Sequence, residues 1–297
     1  MLKNFRAYRV HGEWPADEAS LADKLATVAF KPCGTFNEKS FGFEPPVETE
    51  QASLARTLAG ADLMQLRAQS RVLPAAAVKE ALAERVDDFA RRTLRQPGRK
   101  EKRDLKEEVY GELLPKALLK SDRIRGFYLQ RVKVLIIASA SPTVAETFLE
   151  KLREALGSLQ VTPLAFKRPV TGLMNEVFQG SRSDAFSLGR ECRMKDLSEP
   201  KSSVNWLDMD LSDASVRKHV TQGLSIDRLG MSFDSVLRFV IDNDCAFRKV
   251  RFEGLDSLDE LDDEDPLARA DAEFAIEAGV TQRLIEALKK SLGGFDG

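Results

Sequence analysis

Two amphipathic helical patterns lie between residues 74 and 120, and a clear break separates them. The first ends at Gln96-Pro97-Gly98 and the second stops at Pro115, because proline cannot donate a helical hydrogen bond and glycine favours helix ends. The apolar residues at helical spacing are Val78, Leu82, Val86, Phe89, Leu105, Val109 and Leu113. The segment is therefore predicted to form two antiparallel helices with a basic loop, a helical finger that projects from a sheet.

Strand-like and helix-like segments alternate irregularly through the rest of the chain. Residues 4–10 and 132–138 are typical of strands, and a helical pattern follows each of them. The first of these helices is predicted over residues 16–30, and the second is predicted to begin with Ser141 as N-cap and Pro142 in its first turn. The two strand–helix units predict a weak internal repeat.

The C-terminal third predicts a β-hairpin and two further helices. Residues 236–241 and 247–252 are strand-like, and the acidic turn between them favours a reversal of the chain. The two predicted helices are residues 212–223, with Ser212 as N-cap, and residues 281–292. The irregular order of elements favours the α+β class, with mixed or antiparallel sheets and packed helices.

With 297 residues the chain is long enough to bury its own core without disulfides or a structural metal. Its patterns predict three regions. Residues 1–73 and 121–175 form a central α/β region, residues 74–120 the helical finger, and residues 176–297 a C-terminal α+β region. No apolar run approaches the roughly 20 residues of a membrane span, and the first six residues lack a signal-peptide core, so a cytoplasmic protein is expected.

Charge is distributed very unevenly along the chain. Residues 91–133 contain fourteen Lys and Arg against six acidic residues, a local charge of +8. Residues 253–277 contain eleven acidic residues and one arginine, a local charge of −10. The first segment could attract a polyanion and the second would repel one, so the stretch from Asp256 to Asp265 is expected to face away from any such ligand.

Familiar catalytic and cofactor motifs are absent from the sequence. It has no G-x-x-x-x-G-K-[ST], G-x-G-x-x-G or G-x-S-x-G motif, so no nucleotide cofactor and no serine nucleophile is expected. Cys33, Cys192 and Cys245 are widely spaced and are predicted to be buried apolar residues. With His11 and His219 as the two histidines, no zinc site is expected, and His219 is predicted to be packed rather than catalytic.

The sequence resembles the RdgC recombination-associated proteins of bacteria over nearly its whole length. Each matching stretch alone is short, but together they keep the order of the family. The matching stretches include residues 4–9 (NFRAYR), 30–34 (FKPCG), 42–46 (GFEPP), 72–74 (VLP), 104–109 (DLKEEV), 113–117 (LLPKA), 138–141 (ASAS), 152–159 (LREALGSL), 210–212 (DLS) and 248–252 (RKVRF).

The resemblance implies a horseshoe-shaped protomer that forms a homodimeric ring around duplex DNA and restrains RecA-promoted recombination. It implies no enzyme activity and no cofactor, a nucleoid-associated protein in the cytoplasm, and single-stranded DNA as a further candidate ligand. Two departures from the family matter. Leu118 stands where a finger aromatic is usual, and Trp206-Leu207-Asp208-Met209 replaces the usual lysines and glutamine before Asp210.

Charge and resemblance together select candidate contacts to DNA phosphates. The candidates in and near the finger are Arg99, Lys100, Lys102, Arg103, Lys116, Lys120 and Arg123, and Lys249 and Arg251 are weaker candidates for the lining of the hole. Two alternatives stay open. The finger could dock on an acidic protein partner, or Asp208 and Asp210 with nearby lysines could form a Mg²⁺-dependent nuclease.

Overall fold

A computed structural model describes residues 1–47, 52–180, 185–196, 198, 202–254 and 266–296. The chain divides into two compact units. The larger unit comprises Met1–Thr27, Pro45–Gln65 and Arg125–Gly297, and the smaller unit comprises Val28–Glu44 and Leu66–Ile124. The division into a central region, a finger and a C-terminal region stays a prediction. The acidic stretch from Asp256 to Asp265 lies outside the described residues.

The α+β class predicted from the sequence is confirmed. Among the described residues there are seven α-helices and two sheets, one of seven strands and one of five. The strands are β1 (Arg6–Val10), β2 (Lys39–Glu44), β3 (Ala55–Leu58), β4 (Ala61–Val72), β5 (Leu118–Leu129), β6 (Val134–Ile137), β7 (Val161–Pro163), β8 (Phe186–Asp196), β9 (Ser203–Trp206), β10 (Leu224–Phe233), β11 (Leu237–Asp242) and β12 (Phe247–Phe252). The helices are α1 (Glu18–Ala26), α2 (Ala75–Thr93), α3 (Arg99–Leu113), α4 (Pro142–Leu156), α5 (Val170–Phe178), α6 (Ala214–Thr221) and α7 (Pro266–Ser291).

The two predicted strand–helix units form neighbouring parts of the larger unit. β1 lies between β6 and β7 and pairs antiparallel with both, and α1 packs against α4. α4 begins as predicted, because Ser141 accepts a hydrogen bond from the Val144 amide and Pro142 occupies the first turn. α1 ends at Ala26 with Thr27 as its C-cap, so the prediction of a helix up to residue 30 is wrong at that end.

A glycine sets the distance between β5 and α4. A Cβ atom on Gly126 would lie 2.4 Å from Cζ of Phe148, a side chain that is fully buried. The phenyl ring therefore occupies the space that any other residue at this strand position would need. The close approach of helix and strand depends on this pair.

The second sheet has the strand order β12-β11-β10-β8-β9, and these strand pairs are antiparallel. The predicted hairpin is confirmed as β11 and β12. Val250 is buried while Lys249 and Arg251 are exposed, as a period of two predicts. Lys249 has a left-handed backbone (φ 49°) at an irregularity in the β11–β12 register, the mark of a β-bulge.

The core of the larger unit joins β1, the second sheet and α7. Phe5 stacks on Phe247 with ring centroids 4.2 Å apart, and Phe127 meets Phe274 edge-on at 5.6 Å. Apolar residues of α5 and α7 belong to the same buried cluster, among them Val177 and Leu284. Strands and helices from distant parts of the sequence thus share one hydrophobic core.

Two C-terminal helices differ from their predictions. α7 begins at Pro266 rather than at residue 281, because Phe274 and Ala278 in its first half are buried and hold that half against the core. α6 has Asp213, not Ser212, as its N-cap, since the Asp213 carboxylate accepts from the Ser215 amide. Among the described helices none is both long and apolar enough to cross a membrane.

An ion pair with a buried carboxylate links α7 to β5 within the larger unit. Glu277 is 1 % exposed, and its carboxylate lies 3.3 Å from the guanidinium of Arg125 in β5. The same carboxylate accepts a hydrogen bond from the Leu2 backbone amide. The buried carboxylate thus has both a counter-charge and a hydrogen-bond donor, while the Arg125 side chain remains partly exposed.

The predicted helical hairpin is confirmed in the smaller unit. α2 and α3 pack against each other, with Val78 of α2 and Val109 of α3 buried. The Arg85 guanidinium of α2 donates to both carboxylate oxygens of Glu112 in α3, at 2.6 and 2.7 Å. This ion pair holds the two helices side by side. The 3-10 turn at Leu114–Lys116 follows α3 and leads into β5.

Candidate nucleic-acid interface

Four basic residues form one continuous stripe along α3. Lys102 and Arg103 lie three and four residues after Arg99, and Lys106 lies four and three residues after them, a spacing that places the four side chains on one helix face. Together with Lys100 and Leu82 they line a concavity of about 760 Å³. We call Arg99, Lys102, Arg103 and Lys106 the basic stripe.

The charges of the basic stripe are poorly neutralised by the protein. Within the described residues Arg99, Lys102 and Lys106 form no ion pair, and Arg103 lies 3.7 Å from Glu107 with both side chains about 70 % exposed. An exposed ion pair of that length contributes little. Like charges three and four residues apart also destabilise the helix that carries them, so the stripe favours an external anionic partner.

The stripe begins in the first turn of α3, where the helix dipole is positive. Lys100 is in this turn beside Arg99, and one acidic residue, Glu101, offsets them. Amides at a helix N-terminus also attract anions, so charge and dipole act in the same direction here.

The loop between the helices is held by Glu101. Its carboxylate accepts from the Arg95 guanidinium at 2.6 and 2.8 Å and from the Gly98 amide at 2.7 Å. These hydrogen bonds, with that to Arg95 the strongest, lower the pKa of Glu101 to about 2. Leu94, in a left-handed conformation (φ 55°), is 93 % exposed at the same loop.

The Glu101 carboxyl is expected to titrate near pH 2 in the native protein rather than near 4.5. Because the native pKa is lowered, this contact stabilises the loop fully above pH 4.5, and its contribution is lost as the pH falls towards 2. Carboxyl ¹³C NMR would measure the midpoint, and Arg95→Gln should move it back towards 4.5. A wild-type midpoint near 4.5 would show that the loop contact does not form in solution.

Three further predicted contacts lie in the smaller unit outside α3. Lys116, in the 3-10 turn, forms no ion pair within the described residues, whereas Lys120 pairs with Asp122 at 3.0 Å. Arg123 donates to Glu44 at 2.7 Å, and Glu44 is also 3.3 Å from Arg67. Arg123 is therefore largely engaged within the protein, and Lys116 is the freest of the three.

A single arginine supports the turn that carries Lys116. Arg71 donates to the backbone carbonyls of Leu114, Pro115 and Ala117, at 3.2 to 3.3 Å, and to that of Gly34. Leu118 follows this turn and is 80 % exposed. The aromatic that the resemblance would place there is replaced by an aliphatic side chain in open solvent.

The two weaker candidates lie on β12 in the larger unit. Lys249 donates to Glu191 at 2.6 and 2.8 Å, so its charge is largely used within the protein. Arg251 is exposed and has no ion pair among the described residues. Of these two residues, Arg251 is the better placed to contact an external anion.

Lys106 is the residue of the stripe that the sequence-based selection of contacts missed. The selection followed the density of positive charge and not the helical spacing. The four-residue step from Lys102 would have included it, because both residues fall on the same face of α3.

The groups considered for chemistry are largely occupied or buried. Cys33, Cys192 and Cys245 are buried, as predicted, and burial raises the pKa of both Cys192 and Cys245 to about 12. His219 packs against Trp206 with ring centroids 5.1 Å apart. The described ranges contain no group of three or more His, Cys, Asp or Glu side chains that could hold a metal ion.

The acidic pair considered for a nuclease is engaged within the larger unit. Asp208 accepts from Arg190 at 2.7 Å. Asp210 accepts from the hydroxyl and the amide of Ser212, which lowers its pKa. The Ser212 side chain, predicted as a helix cap, thus donates a hydrogen bond to the Asp210 carboxylate instead.

The fold and the stripe define an α+β protein that presents a basic helical hairpin. A family model with the description "Putative exonuclease, RdgC" matches residues 1–295 of the chain. The chain belongs to the RdgC family, as its sequence motifs predicted.

Curated relatives cover the chain almost completely. The recombination-associated protein RdgC of Shewanella oneidensis is 31% identical, over 99% of this chain and 98% of its own length. The proteins of the same name from Shewanella halifaxensis and Shewanella loihica are 30% and 31% identical over the same shares. These relatives are named for recombination, while the family model is described as an exonuclease.

Proposed function

We propose that this protein acts in recombination by binding duplex DNA without sequence preference, as a homodimeric ring that encircles the duplex. The basic stripe on α3 carries the proposal. It offers positive charges at regular spacing, without carboxylate partners among the described residues for three of its four members. Side chains of this kind neutralise phosphates and release counterions, and they need no base-reading contacts.

The encircling mode and the restraint of RecA rest on membership of the family and on the resemblance. Horseshoe-shaped protomers would close into a ring with a positively charged hole, and bound DNA would be withheld from RecA-promoted strand exchange. In this proposal the finger (residues 74–120) supplies the main phosphate contacts and the C-terminal region (residues 176–297) adds weaker ones. Lys116 and Arg251 would contribute beside the stripe.

Encirclement predicts that the topology of the DNA controls release. Complexes formed at about 50 mM salt on a nicked circular duplex should survive a challenge with about 0.5 M salt, because a closed ring cannot leave a circle by sliding. Complexes on the same DNA after linearisation should dissociate, since screened phosphate contacts no longer hold the protein and the ends are free. Gel-shift or pull-down of labelled DNA would measure the retained fraction.

Two further results would separate the alternatives. Equal loss of protein from circular and linear DNA would contradict the ring but not DNA binding itself. In a competition assay, equal displacement by duplex DNA and by an acidic polypeptide of the same charge would favour a finger that docks on an acidic protein.

A nuclease is the second candidate, because the description of the matching family model reads "Putative exonuclease, RdgC". A nuclease would shorten a labelled duplex from its ends when Mg²⁺ is added. Loss of this shortening in the double variant Asp208→Asn, Asp210→Asn would establish the nuclease instead.

A further inference from the structure

A row of polar residues crosses the outer face of the second sheet. Arg193 of β8 lies directly opposite Arg228 of β10, and Asn205 and Asp242 flank these arginines on β9 and β11. Like charges directly opposite on neighbouring strands destabilise a sheet. Two guanidinium groups at such positions therefore need a compensating anion.

The protein supplies that anion only in part. Asp227, which is buried, pairs with Arg193 and with Lys195. Asp242 is used by Arg248 and by the amides of Asp244 and Ala246. The Arg228 side chain has neither an ion pair nor a hydrogen bond among the described residues.

Two buried donors point to the same conclusion. The Nε atoms of Arg193 and Arg228 are shielded from solvent and lack a hydrogen-bond partner among the described residues. Buried donors are nearly always satisfied in native proteins. Burial lowers the pKa of Arg193, and the nearby positive charge of Arg228 lowers it further.

These arginines line a concave cleft with a definite size. Its lining includes Arg193, Arg228, Arg248, Lys249 and Trp206, and its volume is about 140 Å³. The space is well below the 300 Å³ or more of a typical site for a whole organic cofactor. It suits a small tetrahedral anion with at most a short attached group. We call it the arginine cleft.

Charge selects among small anions. The arginine cleft and its ion-pair partners comprise five basic groups and three acidic ones, a net charge of +2. The acidic groups are Glu191, Asp227 and Asp242. A phosphomonoester carries about −1.5 to −2 at pH 7 and offers three acceptor oxygens, whereas a carboxylate or a phosphodiester carries −1.

We propose that the arginine cleft is a binding site for a phosphate group with three free oxygens, supplied either as inorganic phosphate or as the terminal phosphate of a nucleic acid strand. Arg228 is its principal ligand because it is not used by any described residue, and Arg193 and Arg248 complete the set of donors. This site is separate from the phosphate contacts of the finger, and it does not depend on whether the protein encircles DNA.

Inorganic phosphate is the first probe, added to the full-length protein at constant ionic strength with chloride as the reference. Phosphate should raise the thermal unfolding midpoint relative to chloride, and the rise should grow with the logarithm of the phosphate concentration once this exceeds the Kd. Arg228→Gln should weaken this binding at least tenfold, whereas Arg238→Gln, which removes an equal charge from the same sheet, should change it less than twofold. Arg238 pairs with Glu253 and does not line the cleft.

Without phosphate, Arg228→Gln should be at least as stable as the wild type, because it removes the repulsion with Arg193. Arg228→Lys is the second variant, and it should also bind phosphate more weakly since it loses the guanidinium fork. If phosphate gives no stabilisation beyond that of chloride, or stabilises both Arg228 variants as much as the wild type, the proposal is wrong.

Paired oligonucleotides distinguish the two sources of phosphate. The comparison is between a strand with a 5′-phosphate and the same strand with a 5′-hydroxyl, each competing with inorganic phosphate. If the phosphorylated strand competes at least tenfold better, nucleic acid ends are the ligand. Equal competition would identify free phosphate, provided that inorganic phosphate itself binds. Duplex binding through the finger is measured separately, so loss of either activity leaves the other interpretable.

Discussion

Replacing Arg99, Lys102 and Lys106 together by glutamine is expected to weaken duplex binding by at least two orders of magnitude at about 0.1 M salt. Each phosphate contact contributes about 0.9 to the slope of log K against log salt, so the slope should become shallower by about 2.7 for each stripe on the DNA, and by about 5.4 for a dimer that uses both stripes. The three side chains lie on one face of α3 and lack ion-pair partners among the described residues. Fluorescence anisotropy with a labelled duplex across a salt series would measure both quantities.

A matched control separates the stripe from net charge. The control variant replaces three basic residues of α1 and α4 in the larger unit by glutamine and so removes the same number of charges. These residues are Lys24, Lys151 and Arg153. This variant should keep a slope within about half a unit of the wild type. If both triple variants lose affinity equally, the protein binds DNA through its overall charge, and the proposed role of the stripe is wrong.

Arg125→Met is expected to destabilise the protein by about 3–5 kcal/mol. The substitution leaves the Glu277 carboxylate, 1 % exposed, without its counter-charge and with the Leu2 amide as its remaining partner. A buried unpaired charge costs far more than the ion pair itself contributes. Urea unfolding followed by circular dichroism would measure the change.

Two companion variants test the cause of that loss. Arg131→Met breaks the pair between Arg131 and Glu286 in the same unit, but Arg131 is 76% exposed, so the cost should stay below about 1 kcal/mol. Adding Glu277→Leu to Arg125→Met should recover most of the lost stability, because no charge then remains buried. Equal losses in Arg125→Met and Arg131→Met would contradict the assigned burial.

Local signals in the sequence were sufficient to predict several helices and their ends. The break at Gln96-Pro97-Gly98 fixed the helical hairpin, and Ser141-Pro142 fixed the start of α4. The first half of α7 was missed, because its helical pattern depends on burial of Phe274 against residues far away in the chain. The cap of α6 was wrong by one residue because Asp213 and Ser212 are both good N-cap residues.

The candidate interface was predictable in its position but not in its details. Charge density pointed to α3 without showing which side chains are already paired. Arg123 is paired with Glu44, 79 residues away, and Lys249 with Glu191, 58 residues away. The arginine cleft was not predicted at all, because the pairing of Arg193 with Arg228 depends on the strand register of β8 and β10.

The mutual repulsion within the basic stripe gives salt two opposite effects. Added salt screens the repulsion, so amide hydrogens of α3 in the free protein should exchange more slowly as ionic strength rises. The same salt weakens the attraction to phosphates. Bound DNA would replace the counterions that relieve the helix, and binding at the stripe is therefore thermodynamically linked to the local stability of α3.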